Sequence, residues 1–223
     1  MTRPPSFPAR PVNGGPLDKA LPKNGAWAYE PKINGWRAWL HVPTGAMFNR
    51  KNERLSIKRE FKPVIDRLKR HAADATKCPE WLDVEALERR LPIGKGTLVV
   101  LDAPLPGTWD ARQRQLYADL VAATEGGVVQ SWKFEQFEPP KNELLMFAYH
   151  YEDEHTQKSR GASVIDLQLF PALAWNRLQQ INKQLGCELF EGLVAKRVDS
   201  LYPIQSRSPD VEFPFWMKHR WAF

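Results

Sequence analysis

The sequence has little cysteine, no long apolar run and no internal repeat. Cys78 and Cys187 stand far apart with no metal-ligand spacing. That excludes a zinc site of clustered cysteines and a disulfide framework, and it fits a reducing compartment. No stretch approaches the ~20 apolar residues that cross a bilayer. The N-terminus carries no hydrophobic signal region. The chain therefore reads as a cytoplasmic protein with no membrane partner. The run "PIGKGT" (Pro92–Thr97) lacks the full G-x-x-x-x-G-K-[ST] pattern and precedes a strand-like segment. It reads as a turn and not as a phosphate loop.

What is present is bulk and positive charge. The chain has 223 residues, 43% of them apolar, enough for a sizeable core. Nine tryptophans point to bulky packing or stacking surfaces. The net charge of +6 suits a polyanionic partner, without by itself singling out nucleic acid. Residues 1–25 are rich in Pro, Gly and basic side chains. Such a segment has little to bury, so it is expected to be a flexible basic arm or an extended strap. Residues 26–223 are expected to form one domain.

Strand-like segments are Ala26–Pro31, Trp36–Val42, Ala46–Arg50, Trp81–Leu87, Thr97–Asp102, Glu143–Tyr151, Leu193–Val198 and Phe213–Lys218. Helical periodicity covers Glu60–Ala75, Thr108–Thr124 and Pro171–Gly186. The strands cluster instead of alternating strictly with helices. This favours an α+β fold of two antiparallel sheets flanked by helices.

Four stretches carry chemistry. In "AYEPKINGWRAWL", Lys32 precedes Asn34-Gly35, which reads as a hairpin turn between two strands. The lysine is either solvated or a nucleophile. A free lysine, with a pKa of ~10.4, is almost fully protonated at neutral pH, so a nucleophile would need neighbours that favour the amine. In "WLDVEALERR", Asp83 and Glu85 share one face of a strand. They either edge the solvent or face a cleft. In "LFEGLVAKRVDSLYPIQSRS", Glu191 and Lys196 frame an apolar run after Gly192. They are a cation ligand and a phosphate binder, or merely the charged ends of a strand. In "FPFWMKHRWAF", Lys218 and Arg220 point the same way from a strand and suit a phosphate.

Taken in order, "EPKING-R", "LDVEAL", "LVVLDAP", "EGLVAK" and "WMKHR" resemble the motif series of the covalent nucleotidyltransferases: ATP-dependent DNA ligases, RNA ligases and mRNA capping enzymes. The wording is most similar to the DNA ligase branch, whose first motif reads E-x-K-x-D-G-x-R. The series spans Glu30–Arg220. The resemblance implies a ligase nucleotidyltransferase domain with a nucleotide cleft between its sheets. It implies that Lys32 becomes lysyl-AMP, with ATP as the source of the covalently bound AMP. Glu30 and Leu101 would lie against adenine. Arg37 and Arg50 would reach the ribose or a polynucleotide phosphate. Glu85 would hold the ribose hydroxyl or a metal, and Glu191 a divalent Mg2+ or Mn2+. Lys196, Lys218 and Arg220 would bind phosphate. The implied partner is nicked double-stranded DNA, with RNA or a hybrid as the alternative; a further reading is a non-catalytic nucleotide- or nick-binding module. Arg37, Arg50, Lys51, Arg54, Lys58 and Arg59 would touch the nucleic acid, since clustered cations hold backbone phosphates.

The sequence departs from that pattern in places. Asn34 stands where the motif has aspartate, Val84 where D-G-E has glycine, and Leu101 where many relatives carry an aromatic. "PDVEFPF" lengthens the approach to the last motif. The chain stops soon after Arg220, so the expectation is a monomer without the OB-fold domain of the larger ligases, or with a separate protein in its place.

Overall fold

The computed structural model describes residues 3–7, 10–17, 22, 24–56, 59–74, 78–87, 93–120, 123, 141, 144–146, 171–203, 208 and 210–221. Among these lie ten strands: β1 (Arg10–Asn13), β2 (Trp27–Ile33), β3 (Trp36–His41), β4 (Ala46–Phe48), β5 (Arg54–Leu55), β6 (Trp81–Ala86), β7 (Leu98–Asp102), β8 (Leu144–Met146), β9 (Phe190–Arg197) and β10 (Glu212–Arg220). The helices are α1 (Lys62–Asp74), α2 (Trp109–Leu120) and α3 (Pro171–Leu185). All three lie within the ranges that periodicity marks. The expected strand Glu143–Tyr151 is seen at Leu144–Met146; its other residues fall outside the described ones.

The strands form two sheets, in the orders β1-β10-β9-β2 and β5-β4-β3-β6-β7-β8. Each is antiparallel except for one parallel pair at an edge, β1 with β10 and β7 with β8. The expected α+β fold of two largely antiparallel sheets is thus met, with one parallel pair at an edge of each. Both parallel partners are short, three or four residues, and come from segments distant in sequence from the strands they extend.

Alternation along β7 shows how the layers stack. Leu98 and Val100 face a core shared with Val64, Ile65 and Leu68 of α1 and Leu116 and Leu120 of α2. Val99 faces the opposite way, into a second core with Leu178 and Ile181 of α3 and Ile33, Phe190 and Leu193 of the smaller sheet. Full burial of each such side chain stabilises the fold by roughly 1.5–3 kcal/mol. A third cluster is aromatic: Trp39, Phe48, Trp81, Tyr202 and Trp216.

Two expectations are decided here. Asn34-Gly35 does not close a hairpin. Strand β2 pairs with β9, whereas β3 pairs with β4 and β6, so the chain passes from one sheet to the other at this turn. Gly35 is needed for space: a Cβ would stand 2.8 Å from the Ala86 carbonyl oxygen and the Glu85 Cγ. Of the two forms expected for the N-terminal segment, free arm or strap, its described residues are anchored against the domain. The Ser6 carbonyl accepts a 2.7 Å bond from the buried Trp39 indole, Arg10–Asn13 pairs with β10, and Leu17 enters the second core. Polar composition hid these anchors, since each is a backbone pairing or a single apolar residue.

Candidate active site

The smaller sheet lays out the site in rows. In register, Lys32 of β2 faces Gly192 of β9, which faces Arg220 of β10. The next row on the same face is Glu30, Val194 and Lys218, and the one after it is Ala28, Lys196 and Trp216. Three sequence-distant motifs thus share one surface because side chains two residues apart point the same way.

Between Lys32 and Ile33 the pairing slips. Lys32 pairs with Gly192 but Ile33 with Phe190, leaving Glu191 as an extra residue on β9. A bulge of this kind re-aims a side chain. Here it sets the Glu191 carboxylate against the Lys32 ammonium in direct contact, and Arg220 Nη2 reaches the same Oε2 oxygen at 3.1 Å. Gly192 permits this approach. Its φ is +144°, and a Cβ would lie 1.9 Å from the His219 carbonyl oxygen. Asn182 of α3 fixes the start of β9, donating to Phe190 O at 2.7 Å and accepting from Phe190 N at 3.0 Å.

These rows form one wall of a cleft of about 720 Å3, and the larger sheet forms the other. Eleven expected residues line it: Glu30, Lys32, Arg37, Arg50, Lys51, Glu85, Leu101, Glu191, Lys196, Lys218 and Arg220. Arg54 and Arg59 are exposed but do not line the cleft, and Lys58 lies outside the described residues. In all, eight lysines and arginines face three glutamates along the lining.

The electrostatics follow from that imbalance and from burial. Burial pushes the Glu85 carboxyl up to about 7, against the pull of Lys32 and Arg37. Burial also raises Glu30, opposed by Lys196. The Lys218 ammonium is held below the usual lysine value by burial, then by Arg10 and Arg220. Burial disfavours the Arg37 charge, yet the Asp83 carboxylate raises its pKa above the usual arginine value.

Two of the expected site residues are engaged by protein partners. Lys196 is buried, and its Nζ contacts Glu30 at 2.8 and 3.0 Å and the Leu101 carbonyl at 2.8 Å, with the Trp216 ring 4.7 Å away. In this state it ties β9 to β2 and β7, and Glu30 is its counter-ion. Arg37 is clamped by Asp83 through Nε at 2.9 Å and Nη2 at 2.5 Å. The buried Tyr202 hydroxyl donates to the same Asp83 at 3.1 Å. Asp83 and Glu85 do share a strand face, but Asp83 holds Arg37 while Glu85 borders the cleft.

Sequence reasoning missed Arg10 and Trp216, and it met Tyr202 in the run after Lys196 without giving it a role. Trp216 was visible as an aromatic beside Lys218. Arg10 had no signal beyond charge, because its strand is four residues long in a proline-rich stretch.

No family model matches the chain, and no curated protein matches it in sequence. Solved structures do match in fold. The ligase domain of LigD from M. tuberculosis is similar at a TM-score of 0.51 and 16% identity, over 96% of this chain and 60% of that one. A Lig E DNA ligase described as binding DNA with a minimal scaffold gives 0.46 and 12%, over 95% and 68%. Chlorella virus DNA ligase-adenylate gives 0.46 and 11%, over 97% and 68%. The chain thus has the two-sheet fold of a ligase nucleotidyltransferase domain, and it spans 60% of the LigD ligase domain's length.

Proposed function

We propose that this chain is an ATP-dependent polynucleotide ligase of the DNA-ligase type, with Lys32 as the nucleophile. The observation that carries the reading is the Lys32–Glu191–Arg220 contact on the wall of a cationic cleft. Lys32 Nζ gives up a proton, with Glu191 the adjacent acceptor, and attacks the α-phosphorus of ATP. The N–P bond forms as the bond from the α-phosphorus to the bridging oxygen breaks. Pyrophosphate leaves with that electron pair. The AMP then passes to a 5′-phosphate at a nick in DNA, and the 3′-hydroxyl displaces it. Such transfers rest mainly on positioning and on neutralising charge. Lys218 and Arg220 serve the phosphates, and Leu101 offers an apolar surface to the base. Exposed Arg50, Lys51, Arg54 and Arg59 are the proposed contacts to the polynucleotide backbone.

The residues also fit a divalent cation of the Mg2+ type. Such ions take one or two carboxylates together with substrate phosphates. Glu85 and Glu191 both border the cleft, and a cation would favour the ionised form of Glu85 that burial disfavours. Among the described residues no group of three or more His, Cys, Asp or Glu could hold a metal alone. When bound, the ion would supply charge neutralisation at the phosphates.

The test is incubation with Mg2+ and α-labelled ATP or GTP, followed by denaturation. Acid-labile label from ATP on the wild-type chain, and none on Lys32→Ala, is expected. No label from either nucleotide, or equal label on the variant, overturns the reading. Nicked DNA, nicked RNA and pre-adenylated strands then separate the substrates.

A further inference from the structure

Arg10 lies outside every motif that points to the cleft, yet it lines that cleft. Strand β1 runs parallel to β10, with Asn13 opposite Lys218 and Val12 opposite Met217. The register shifts between Pro11 and Val12, so Arg10 falls beside Glu212. Its carboxylate contacts are loose: Asp210 at 3.5 Å and Glu212 at 3.8 Å, with 37% of its side chain exposed. Asp210 is shared. It also lies 3.7 Å from Arg50, which follows β4 on the other sheet. One exposed carboxylate therefore lies between two arginines from opposite walls of the cleft, as a phosphate group would. The same Arg10 charge helps to hold Lys218 below its usual value. Eight cations stand against three glutamates along the lining; even with Asp83, Asp210 and Glu212 pairing some of them from beyond it, positive charge is in excess, and a triphosphate supplies the balance.

We infer that Arg10, from the N-terminal strand, binds the β- and γ-phosphates of the nucleotide beside Lys218, displacing Asp210. The inference rests on the functional reading above for the identity of the nucleotide. It adds a phosphate-binding residue that none of the five motifs contains. The planar guanidinium fork suits a tetrahedral oxyanion better than a single ammonium does. In the forward reaction Arg10 would offset charge on the departing pyrophosphate. It would have no contact with AMP.

The experiment measures affinity for inorganic tripolyphosphate and for AMP by calorimetry, and the KM for ATP in lysyl-AMP formation. It compares the wild-type full chain with Arg10→Ala, Arg10→Gln, Arg10→Lys and Asp210→Ala/Glu212→Ala. Arg10→Ala and Arg10→Gln should weaken tripolyphosphate and raise the KM by about tenfold or more, on the scale of one charge-assisted contact. AMP affinity should stay within about twofold, and Arg10→Lys should recover part of the loss. The double variant removes the ion-pair partners but keeps the cation, so its tripolyphosphate affinity should hold or rise. If Arg10 only pinned β1 to β10, the double variant would reproduce the loss, and that result overturns the inference. Wild-type affinity in Arg10→Gln, or no tripolyphosphate binding to the wild type, overturns it as well. If the wild type forms no lysyl-AMP, the functional reading fails, and tripolyphosphate binding still decides the place of Arg10.

Discussion

Two ion pairs, built from similar chemistry, serve this molecule in opposite ways. Between β7 and α2, Arg112 and Asp102 are fully buried and matched. Nε and Nη2 meet the two carboxylate oxygens at 2.9 and 2.8 Å, and Nη1 donates to Gly107 O and Ser200 O at 2.8 and 3.1 Å. The guanidinium also stacks 5.4 Å from the Tyr202 ring centre. In the cleft, by contrast, Glu191 Oε2 is shared by Lys32 and Arg220, and all three stay partly open to solvent. A buried pair must be satisfied within the protein because water cannot reach it. A pair on a cleft wall can stay over-cationic because a ligand can complete it. The difference between closed and incomplete polar networks is what separates scaffold from site here.

The sharpest way to break that contrast is to remove one cation from each. Lys32→Ala should abolish covalent labelling entirely while changing stability by less than about 1 kcal/mol, since Glu191 retains Arg220 and solvent. Arg112→Leu should do the reverse. It strands Asp102, whose Oδ1 is left with the Ala103 N–H at 2.8 Å. Breaking a buried pair in this way costs about 3–5 kcal/mol. Urea denaturation read beside the labelling assay checks both. A large stability loss in Lys32→Ala, or none in Arg112→Leu, would erase the distinction.

How much of this was legible beforehand differs between the two regions in the same way. Lys32, Glu85, Glu191, Lys196, Lys218 and Arg220 stand out because the short motifs occur in the order of the resembling family, and strand alternation aligns Glu30 with Lys32, Asp83 with Glu85 and Lys218 with Arg220. The closed network was not legible. Arg112 sits in "TWDARQRQLYADL" as an ordinary charged residue on a helix. Nothing local says that its face is turned onto Asp102 and Ser200, 10 and 88 residues away. The same limit hid the crossing between sheets at Asn34-Gly35. A turn signal fixes where the chain bends, but pairing partners are chosen by distant strands. The bulge at Glu191, which sets its carboxylate against Lys32, likewise needs β2 and β9 side by side.

Acidity gives a third comparison, within the cleft. Glu85 has its folded-state pKa raised from 4.5 to about 7, chiefly by burial. The folded chain therefore holds this proton where the unfolded chain releases it. Stability from this group is fully present below about pH 4.5, is lost as the pH rises towards 7, and is flat beyond. The slope is at most about 1.4 kcal/mol per pH unit for one proton. Glu85→Gln should flatten the fall; Glu30, also raised by burial, contributes with the same sign, and His219, lowered by burial, with the opposite one. Denaturation midpoints between pH 4.5 and 8 measure this. An unchanged slope in the variant would mean that Glu85 is not the titrating group.

The smallest expected effect concerns Asn34, where the resembling motif has aspartate. Its Nδ2 donates to the Glu188 carbonyl at 3.0 Å, and its backbone N–H donates to Leu189 O at 2.9 Å. The side-chain amide thus clips the crossover to the start of β9, next to Glu191. An aspartate there would turn an acceptor towards that carbonyl. Asn34→Asp should therefore lower stability by about 1 kcal/mol, the net worth of one hydrogen bond, and leave labelling within a few-fold of the wild type. Asn34→Ala, which loses the donor without adding that acceptor, should lose no more stability than Asn34→Asp. If Asn34→Asp instead raised labelling severalfold at no loss of stability, the position would belong to the incomplete, ligand-facing network and not to the scaffold that holds β2 against β9.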